Sequence, residues 1–305
     1  MLWSWSNVKQ WTPWATAGER RERRSMLNLA SYLDQTAKKY PDAVAVMLDS
    51  FRMTYAELDA AVKRVANVLV SKGIERGDRV AMMIPNTPHF PMLYYGILQA
   101  GATVVPVNVL YTHEEIGHYL SDSGAKLFFT YQSFEEEARK AFADVETCRN
   151  FIVVGPPTWL DTPEVGENFM HLMMAAADTF DVVQTMPDDT AVLLYTSGTT
   201  GSPKGAELTH FNMFFNALYS GQYITKAKPG DIALCTLPLF HSFGQTCLMN
   251  AGMLSGAALT MLPRFETKKA MEVIARDKVS LIALVPTMYF FILDRKSTRL
   301  NSSHT

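Results

Sequence analysis

The chain has 305 residues, with 28 Lys and Arg against 30 Asp and Glu, so its formal net charge at pH 7 is −2. Hydrophobic residues make up 48% and charged residues 19%, a globular composition that excludes a disordered, collagen-like or low-complexity chain. The near balance of charge argues against a general nucleic-acid binder, which would be markedly basic. The length predicts roughly two domains with room for a buried core.

Residues 1–25 differ from those that follow. They carry four of the five tryptophans and then a run of Glu and Arg from Glu19 to Arg24. Polar residues interrupt every apolar stretch, so the segment does not fit a secretory signal. It is either an interfacial anchor, since Trp and Arg suit a membrane surface, or a mis-called start. We favour a start at Met26, because a helical pattern begins only there.

The last segment, residues 294–305, is polar and lacks apolar periodicity, although it follows the strongly apolar run 290–293. It resembles the translation of a common sequencing-adaptor oligonucleotide, so we interpret it as a non-native tail. The alternative is a natural polar tail. On the first interpretation, the native sequence is interrupted at about Leu293.

Helix and strand patterns alternate in between. Thr54 and Glu57 form a capping-box signature, and apolar residues recur behind it at helical spacing until Gly73. Thr112 and Glu115 repeat this signature. Apolar runs bounded by Pro and Gly predict strands over 79–84, 102–107, 126–130 and 151–154, and a helix over 90–100. Such alternation predicts right-handed crossovers and a mostly parallel sheet flanked by helices, the α/β class.

The pattern weakens over residues 155–189, which contain four prolines and a Met-rich helical pattern over 170–177. We therefore predict a linker between sub-regions 26–155 and 190–293. Residues 232–263 contain no Asp, Glu, Lys or Arg, and are long enough to raise the possibility of a membrane span. An apolar αβ unit buried inside a sheet protein explains this run, and we favour it. The three cysteines are odd in number and widely spaced, as in a cytoplasmic protein with reduced thiols.

The segment after the apolar run 191–195 carries the clearest chemistry. From Thr196 to Gly205 it reads TSGTTGSPKG, with three glycines, five hydroxyl side chains and Lys204. Glycines let the backbone N–H groups approach a phosphate, hydroxyls bind phosphate oxygens or a hard cation, and the lysine adds positive charge. The segment fits neither a Walker A loop nor a dinucleotide fingerprint. Against the alternative of a flexible turn, we interpret it as a cradle for a polyphosphate.

This loop resembles the signature of the adenylate-forming superfamily, which includes acyl-CoA synthetases, luciferases and peptide-synthetase adenylation domains. Further similar landmarks lie at 54–58, 77–80, 96–102, 208–212, 237–244 and 284–287. The resemblance covers about residues 26–293 and implies the large N-terminal domain of that fold in incomplete form. The family's downstream motifs and its small C-terminal lid domain have no match. We therefore expect this chain, as written, neither to adenylate an acid nor to transfer it to a thiol.

The resemblance implies an enzyme that joins a carboxylic acid to ATP and passes the acyl group to coenzyme A. It implies a magnesium contact at Thr196 and a carboxylate site at His241, with Phe243 and Gly244 lining the acyl tunnel. The residues that it places around the β- and γ-phosphates are Thr196, Ser197, Gly198, Thr199, Thr200, Gly201 and Lys204. An acid is already ionised at neutral pH, so His241 is expected to orient it rather than to remove a proton. Alternatively, His241 is a buried structural histidine, the role that we assign to His210.

For the parent enzyme we favour a medium- or long-chain fatty acid as the substrate. The rivals are an aryl-CoA or carrier-protein ligase, a non-catalytic nucleotide-binding module, and a membrane protein spanning 232–263. The expected partners are the small-molecule acid, ATP and coenzyme A, with no nucleic acid. The expected location is the cytoplasm, with at most peripheral contact with a membrane.

Overall fold

The computed structural model describes residues 26–156, 158–196 and 203–302, and their side chains through residue 294. The strands in this part of the chain are β1 (Val44–Leu48), β2 (Phe51–Thr54), β3 (Arg79–Met83), β4 (Thr103–Pro106), β5 (Leu127–Tyr131), β6 (Asn150–Val154), β7 (Glu167–Asn168), β8 (Thr190–Thr196), β9 (Lys204–Thr209), β10 (Ile232–Cys235), β11 (Ala258–Met261) and β12 (Leu281–Ile282). The α-helices are α1 (Ser31–Lys39), α2 (Tyr55–Ser71), α3 (His89–Gln99), α4 (His113–Ser123), α5 (Glu135–Ala143), α6 (Phe169–Ala175), α7 (His210–Tyr219), α8 (Ala251–Ser255), α9 (Thr267–Asp277) and α10 (Pro286–Ser302). Two π-helical segments, Ser220–Ile224 and Phe243–Asn250, continue α7 and lead into α8.

The strands form two sheets. The seven-stranded sheet has the order β7-β6-β5-β3-β4-β8-β9, and the five-stranded sheet has the order β12-β10-β11-β1-β2. Neighbouring strands are parallel except in the pairs β8–β9 and β1–β2, which are antiparallel. The predicted α/β class, with mostly parallel sheets flanked by helices, is confirmed.

Both sheets draw strands from both predicted sub-regions. β1 and β2 come from the first sub-region but join the five-stranded sheet, whereas β8 and β9 come from the second and join the seven-stranded sheet. The segment predicted as a linker contributes edge strand β7 and helix α6, whose Phe169 is buried in the core. A two-residue strand is too short to show a sequence period, so the pattern appeared to fade there.

Side chains alternate between two faces of the seven-stranded sheet. Val80 and Met82 face the core shared with the five-stranded sheet, α2 and α3, whereas Ala81 and Met83 face α4 and α5. This is the period of two that a pleated strand imposes. All eleven residues of α3 are buried, because this helix lies between the two sheets. The described part of the chain is therefore layered, with helices between the sheets and on their outer faces.

The predicted capping boxes form as expected. The Thr54 hydroxyl accepts a hydrogen bond from the Glu57 amide at 3.2 Å, and the Glu57 carboxylate accepts one from the Thr54 amide at 2.7 Å. Thr112 and Glu115 make the same reciprocal pair at the start of α4. Each box satisfies backbone N–H groups that a helix start leaves without partners. Both helices consequently begin at the residues that the sequence predicted.

The uncharged run 232–263 forms β10, the second π-helical segment, α8 and β11. Strand residues such as Leu234 and Leu259 are fully buried, so the buried αβ interpretation is confirmed. Within the described ranges, none of the helices combines the length and the apolar character that a membrane crossing requires.

His210 begins α7 and is 1% exposed. Its Nδ1 accepts a hydrogen bond from the Leu29 amide at 3.0 Å, which ties the start of the described chain to α7. The His210 amide donates to the Asp189 carbonyl, and the Asp189 carboxylate pairs with Arg76 at 2.5 Å. Burial lowers the pKa of His210 from 6.5 to about 4, so the ring is neutral at pH 7. The predicted structural role of His210 is confirmed.

This burial predicts a stability loss in mild acid. Between pH 6.5 and pH 4, His210 is protonated in the unfolded chain but not in the folded chain. The free energy of unfolding therefore decreases as the pH is lowered, and His210 accounts for about 3 kcal/mol of this decrease. His89, whose pKa burial also lowers to about 4, adds to the slope. We expect His210→Asn to remove about half of the decrease in unfolding free energy that these two histidines cause, measured by urea unfolding from pH 7 to pH 4.5. The exposed His171→Asn is the control, and an unchanged slope in His210→Asn would contradict the assignment.

Candidate functional site

The predicted phosphate loop connects two antiparallel strands. β8 ends at Thr196 and β9 begins at Lys204, and these two residues are a directly opposed pair in the ladder. The loop therefore leaves and re-enters the sheet at one point. Of the residues predicted to hold phosphate, Ser197, Gly198, Thr199, Thr200 and Gly201 lie outside the described residues. The structure thus places the first and last members of the set, Thr196 and Lys204.

Both placed side chains are exposed. Within the described ranges, the Thr196 hydroxyl and the Lys204 ammonium have no hydrogen-bond or ion-pair partner among the side chains and carbonyls around them. Thr196 lies at the carboxyl end of β8, which is parallel to its neighbour β4. Ligands of open α/β sheets bind in the crevice beyond the carboxyl ends of the strands. A hydroxyl and a cation are therefore available at the edge where an anionic ligand is expected.

Helix α4 braces both ends of this loop. His118 Nε2 lies 3.3 Å from the Pro203 carbonyl oxygen, next to Lys204. The Tyr195 hydroxyl, next to Thr196, donates to the Asp122 carboxylate at 2.6 Å. The Tyr195 ring also lies on that of Tyr119, with 4.1 Å between centroids. No sequence motif marks these residues as part of the site. The i, i+4 spacing of His118 and Asp122 places them on one face of the helix, the only signal that they share.

His241 lies in the segment that follows the carboxyl end of β10. Its side chain is exposed on one side and contacts the Phe240 ring, with 4.7 Å between ring centroids. Partial desolvation lowers the pKa of His241 below 6.5, which favours the neutral imidazole at pH 7. Because its side chain is exposed, His241 is not the buried structural histidine of the alternative prediction. Phe243 is 47% exposed beside it, and Gly244 is buried.

A buried asparagine clamps the segment that carries His241. Asn86 follows β3 and is 4% exposed. Its side-chain amide donates to the Leu237 carbonyl at 2.8 Å, and its carbonyl oxygen accepts from the Leu239 amide at 3.0 Å. Gln245 holds the same turn by donating to the Leu239 carbonyl at 3.0 Å. Asn86, which lies in no recognisable sequence motif, thus joins the ends of a strand from each sheet.

The topology brings the two predicted centres to one edge. β3, β4 and β8 are parallel neighbours, so their carboxyl ends lie at the same edge, with β3 and β8 about 10 Å apart. Asn86 binds the His241 segment at the end of β3, and Thr196 marks the end of β8. A ligand at this edge can therefore meet both the ends of the predicted phosphate loop and an imidazole.

An apolar cavity of about 320 Å³ lies beside the segment Phe243–Asn250. Its lining is dominated by small and aliphatic side chains, among them Cys247, Leu248, Ala251, Leu281 and Ile282. Met249, Met253 and Met261 are buried in the core.

The described residues contain no group of three or more His, Cys, Asp or Glu side chains that could cage a metal ion. Magnesium that arrives with a triphosphate needs few protein ligands, because phosphate oxygens and water complete its octahedron. The exposed Thr196 hydroxyl fits such a contact, since oxygen is the ligand that this cation prefers. The residues present are therefore compatible with a nucleotide-borne magnesium ion.

These features describe an α/β protein in which the predicted phosphate loop and the His241 segment lie at one sheet edge. Residues 33–304 match the family described as AMP-binding enzyme, and the chain belongs to that family. It is 33% identical over 280 residues to an oxalate–CoA ligase of Arabidopsis thaliana, covering 88% of this chain and 52% of that protein. It is 30% identical over 288 residues to a long-chain-fatty-acid–CoA ligase of Bacillus subtilis, covering 87% and 51%.

The fold is also similar to that of a solved structure, ATP-bound MatB from Rhodopseudomonas palustris. The TM-score is 0.78 at 28% identity, and the match covers 88% of this chain and 51% of that one. The fold is therefore that of the N-terminal domain of adenylate-forming enzymes. The chain spans about half the length of the curated relatives that it matches.

The His241 segment depends on Gly244 for steric reasons. A Cβ atom at this position would lie 2.5 Å from the Pro238 carbonyl oxygen, a backbone atom that cannot move without displacing the turn. We expect Gly244→Ala to lower the free energy of unfolding by about 1–3 kcal/mol in urea titrations. The control is Gly117→Ala in α4, where no atom lies within 4 Å of the added Cβ. There alanine is expected to raise the free energy of unfolding by about 0.5–1 kcal/mol, because it favours the helix more than glycine does. Equal midpoints for the two variants would show that the close contact does not constrain the turn.

Proposed function

We propose that this chain provides the ATP- and carboxylate-binding part of an acid–thiol ligase. In the first reaction, a carboxylate oxygen of the acid attacks the α-phosphorus of ATP, and the bond to pyrophosphate breaks. In the second, the thiolate of coenzyme A attacks the acyl carbon and AMP leaves. The observation that carries the proposal is the placement of Thr196 and Lys204 as an opposed, exposed pair at the edge that also holds the His241 segment.

The chain's own groups have separable roles in the proposal. Lys204 and the loop hydroxyls compensate the charge of the β- and γ-phosphates, which holds the triphosphate in line for attack. Thr196 supplies the protein oxygen to the magnesium ion, whose contribution is to neutralise phosphate charge. His241, neutral at pH 7, donates a hydrogen bond to the acid and orients it. No enzyme nucleophile is required, because the substrate itself is the nucleophile.

For the acid we propose a medium- or long-chain fatty acid. The cavity beside Phe243–Asn250 is lined mainly by apolar side chains. Phe243 and Gly244, proposed to line the acyl tunnel, begin this segment two residues after His241 but do not line the cavity itself. The relatives named for oxalate and for long-chain fatty acids have nearly equal identity to this chain. Overall similarity therefore does not select the acid, and the proposal rests on the cavity lining. An aryl-CoA or carrier-protein ligase is the main competitor.

Nucleotide binding tests the first half of the proposal. We expect Lys204→Ala to weaken binding of magnesium ATP to this chain at least about tenfold in calorimetric titrations, because a charge-assisted contact to phosphate is lost. Lys228→Ala is the matched control, since Lys228 is also exposed but precedes β10, a strand of the other sheet. Equal affinities for the two variants would remove Lys204 from the site.

Acyl-sulfamoyl adenosines, which mimic the acyl-adenylate with a sulfamate in place of the phosphate, test the second half. We expect the dodecanoyl compound to bind this chain at least tenfold more tightly than the acetyl compound, because burial of each CH₂ contributes about 0.8 kcal/mol. A benzoyl compound that binds most tightly would favour an aryl ligase. Equal binding of all three compounds, together with retained binding of magnesium ATP, would favour a non-catalytic nucleotide module.

A further inference from the structure

We propose that helix α4 is a positioning element of the nucleotide site, in which His118 and Asp122 hold the two strand ends that present Lys204 and Thr196 to the phosphates. This inference rests on the proposed function and deepens it. Neither residue is expected to touch the nucleotide. His118 acts on the backbone carbonyl of Pro203, which precedes Lys204, and Asp122 acts on the side chain of Tyr195, which precedes Thr196.

The first anchor is the contact between His118 and Pro203. A carbonyl oxygen can only accept, so the imidazole donates from a protonated Nε2 at 3.3 Å. Proline has no N–H group, so its carbonyl is the one backbone hydrogen-bonding group that this residue offers. His118 is half-buried and lies edge-on to the Tyr195 ring, with 6.2 Å between centroids. The imidazole therefore has one defined orientation, aimed at the residue just before Lys204.

The second anchor is the contact between Asp122 and Tyr195. The phenol donates to the carboxylate at 2.6 Å, and burial raises the pKa of Tyr195, so the donor proton is retained. The ring of Tyr119 packs on Tyr195 from the same helix, and its hydroxyl lies 2.9 Å from that of Tyr111. The residue just before Thr196 is thus fixed by one strong hydrogen bond and one ring contact.

Gly205 provides the space that this arrangement needs. It is paired directly across from Tyr195, and a Cβ atom there would lie 3.3 Å from the Tyr195 ring and 2.9 Å from Leu193. A glycine at this position lets the ring lie toward α4 without a cross-strand clash. The glycine after Lys204 therefore has a packing reason that is separate from phosphate binding.

The two anchors hold Pro203 and Tyr195, and the binding side chains next to them stay exposed. Tyr195 and Pro203 are held by α4, whereas the adjacent Thr196 and Lys204 side chains are exposed. When a site is ordered before the ligand arrives, binding carries a smaller cost in conformational entropy. Loss of either anchor should therefore weaken nucleotide binding although no contact to the nucleotide is removed.

The experiment compares magnesium ATP affinity among variants whose unfolding midpoints match that of the unmodified chain. His118→Leu and Tyr195→Phe each remove one hydrogen bond, and each is expected to weaken binding about fivefold. His118→Gln retains an N–H donor and Asp122→Asn retains an acceptor, so both are expected to stay within twofold of the unmodified chain. His171→Leu, at an exposed position on α6, is the control for loss of an imidazole.

The outcomes separate this inference from the proposed function. If Lys204→Ala loses affinity while His118→Leu and Tyr195→Phe do not, the positioning role is overturned and the proposed function stands. If the unmodified chain does not bind ATP, the proposed function fails. In that case, amide hydrogen exchange of residues 203–209 in the ligand-free protein tests whether the contact of His118 with Pro203 holds the start of β9. Faster exchange in His118→Leu but not in His118→Gln would support the anchor, and equal exchange in all three proteins would overturn it.

Discussion

The antiparallel pairing of β8 with β9 is the constraint on which the candidate site depends. Every other strand pair of the seven-stranded sheet is parallel, and a parallel neighbour requires a crossover that carries the chain away from the strand end. β9 instead returns directly, so Thr196 and Lys204 face each other across one ladder position. The loop between them is closed at both ends by backbone hydrogen bonds. The ladder therefore sets the positions of Thr196 and Lys204 relative to each other.

A second constraint joins the two sheets at that edge. The His241 segment, proposed to bind the acid, follows a strand of the five-stranded sheet, whereas the predicted phosphate loop connects two strands of the seven-stranded sheet. Two centres on separate sheets can act on one ligand only if the sheets are held in register, and Asn86 supplies a direct connection through its bonds to Leu237 and Leu239. Because this amide is buried, an unpaired donor or acceptor there would cost about 1–3 kcal/mol. The clamp is therefore coupled to the stability of the whole fold.

Local signals allowed much of the fold to be predicted from sequence. Capping boxes at Thr54 and Thr112 identified helix starts, because a cap is satisfied within four residues. The loop Thr196–Gly205 was recognisable because phosphate binding needs backbone and hydroxyl groups that are contiguous in the chain. His118, Asp122 and Asn86 were not, since their partners lie 85, 73 and 151 residues away. The sheet that receives each strand was equally hidden, because periodicity reports which face is buried and not which neighbour covers it.

The residues proposed to bind the ligand and the residues that hold them in place are subject to different constraints. Side chains that bind phosphate must be exposed and unpaired before the ligand arrives. They therefore contribute little to the stability of the fold, which would tolerate other polar residues at these positions. Groups that hold the loop are paired within the protein and can be tested by stability and exchange without any ligand. Tyr195 belongs to the second class although it adjoins the first, since its hydroxyl is already bound to Asp122. A motif that spans both classes will show sharp sequence constraint at positions that never touch a substrate, and Gly205 opposite Tyr195 is such a position.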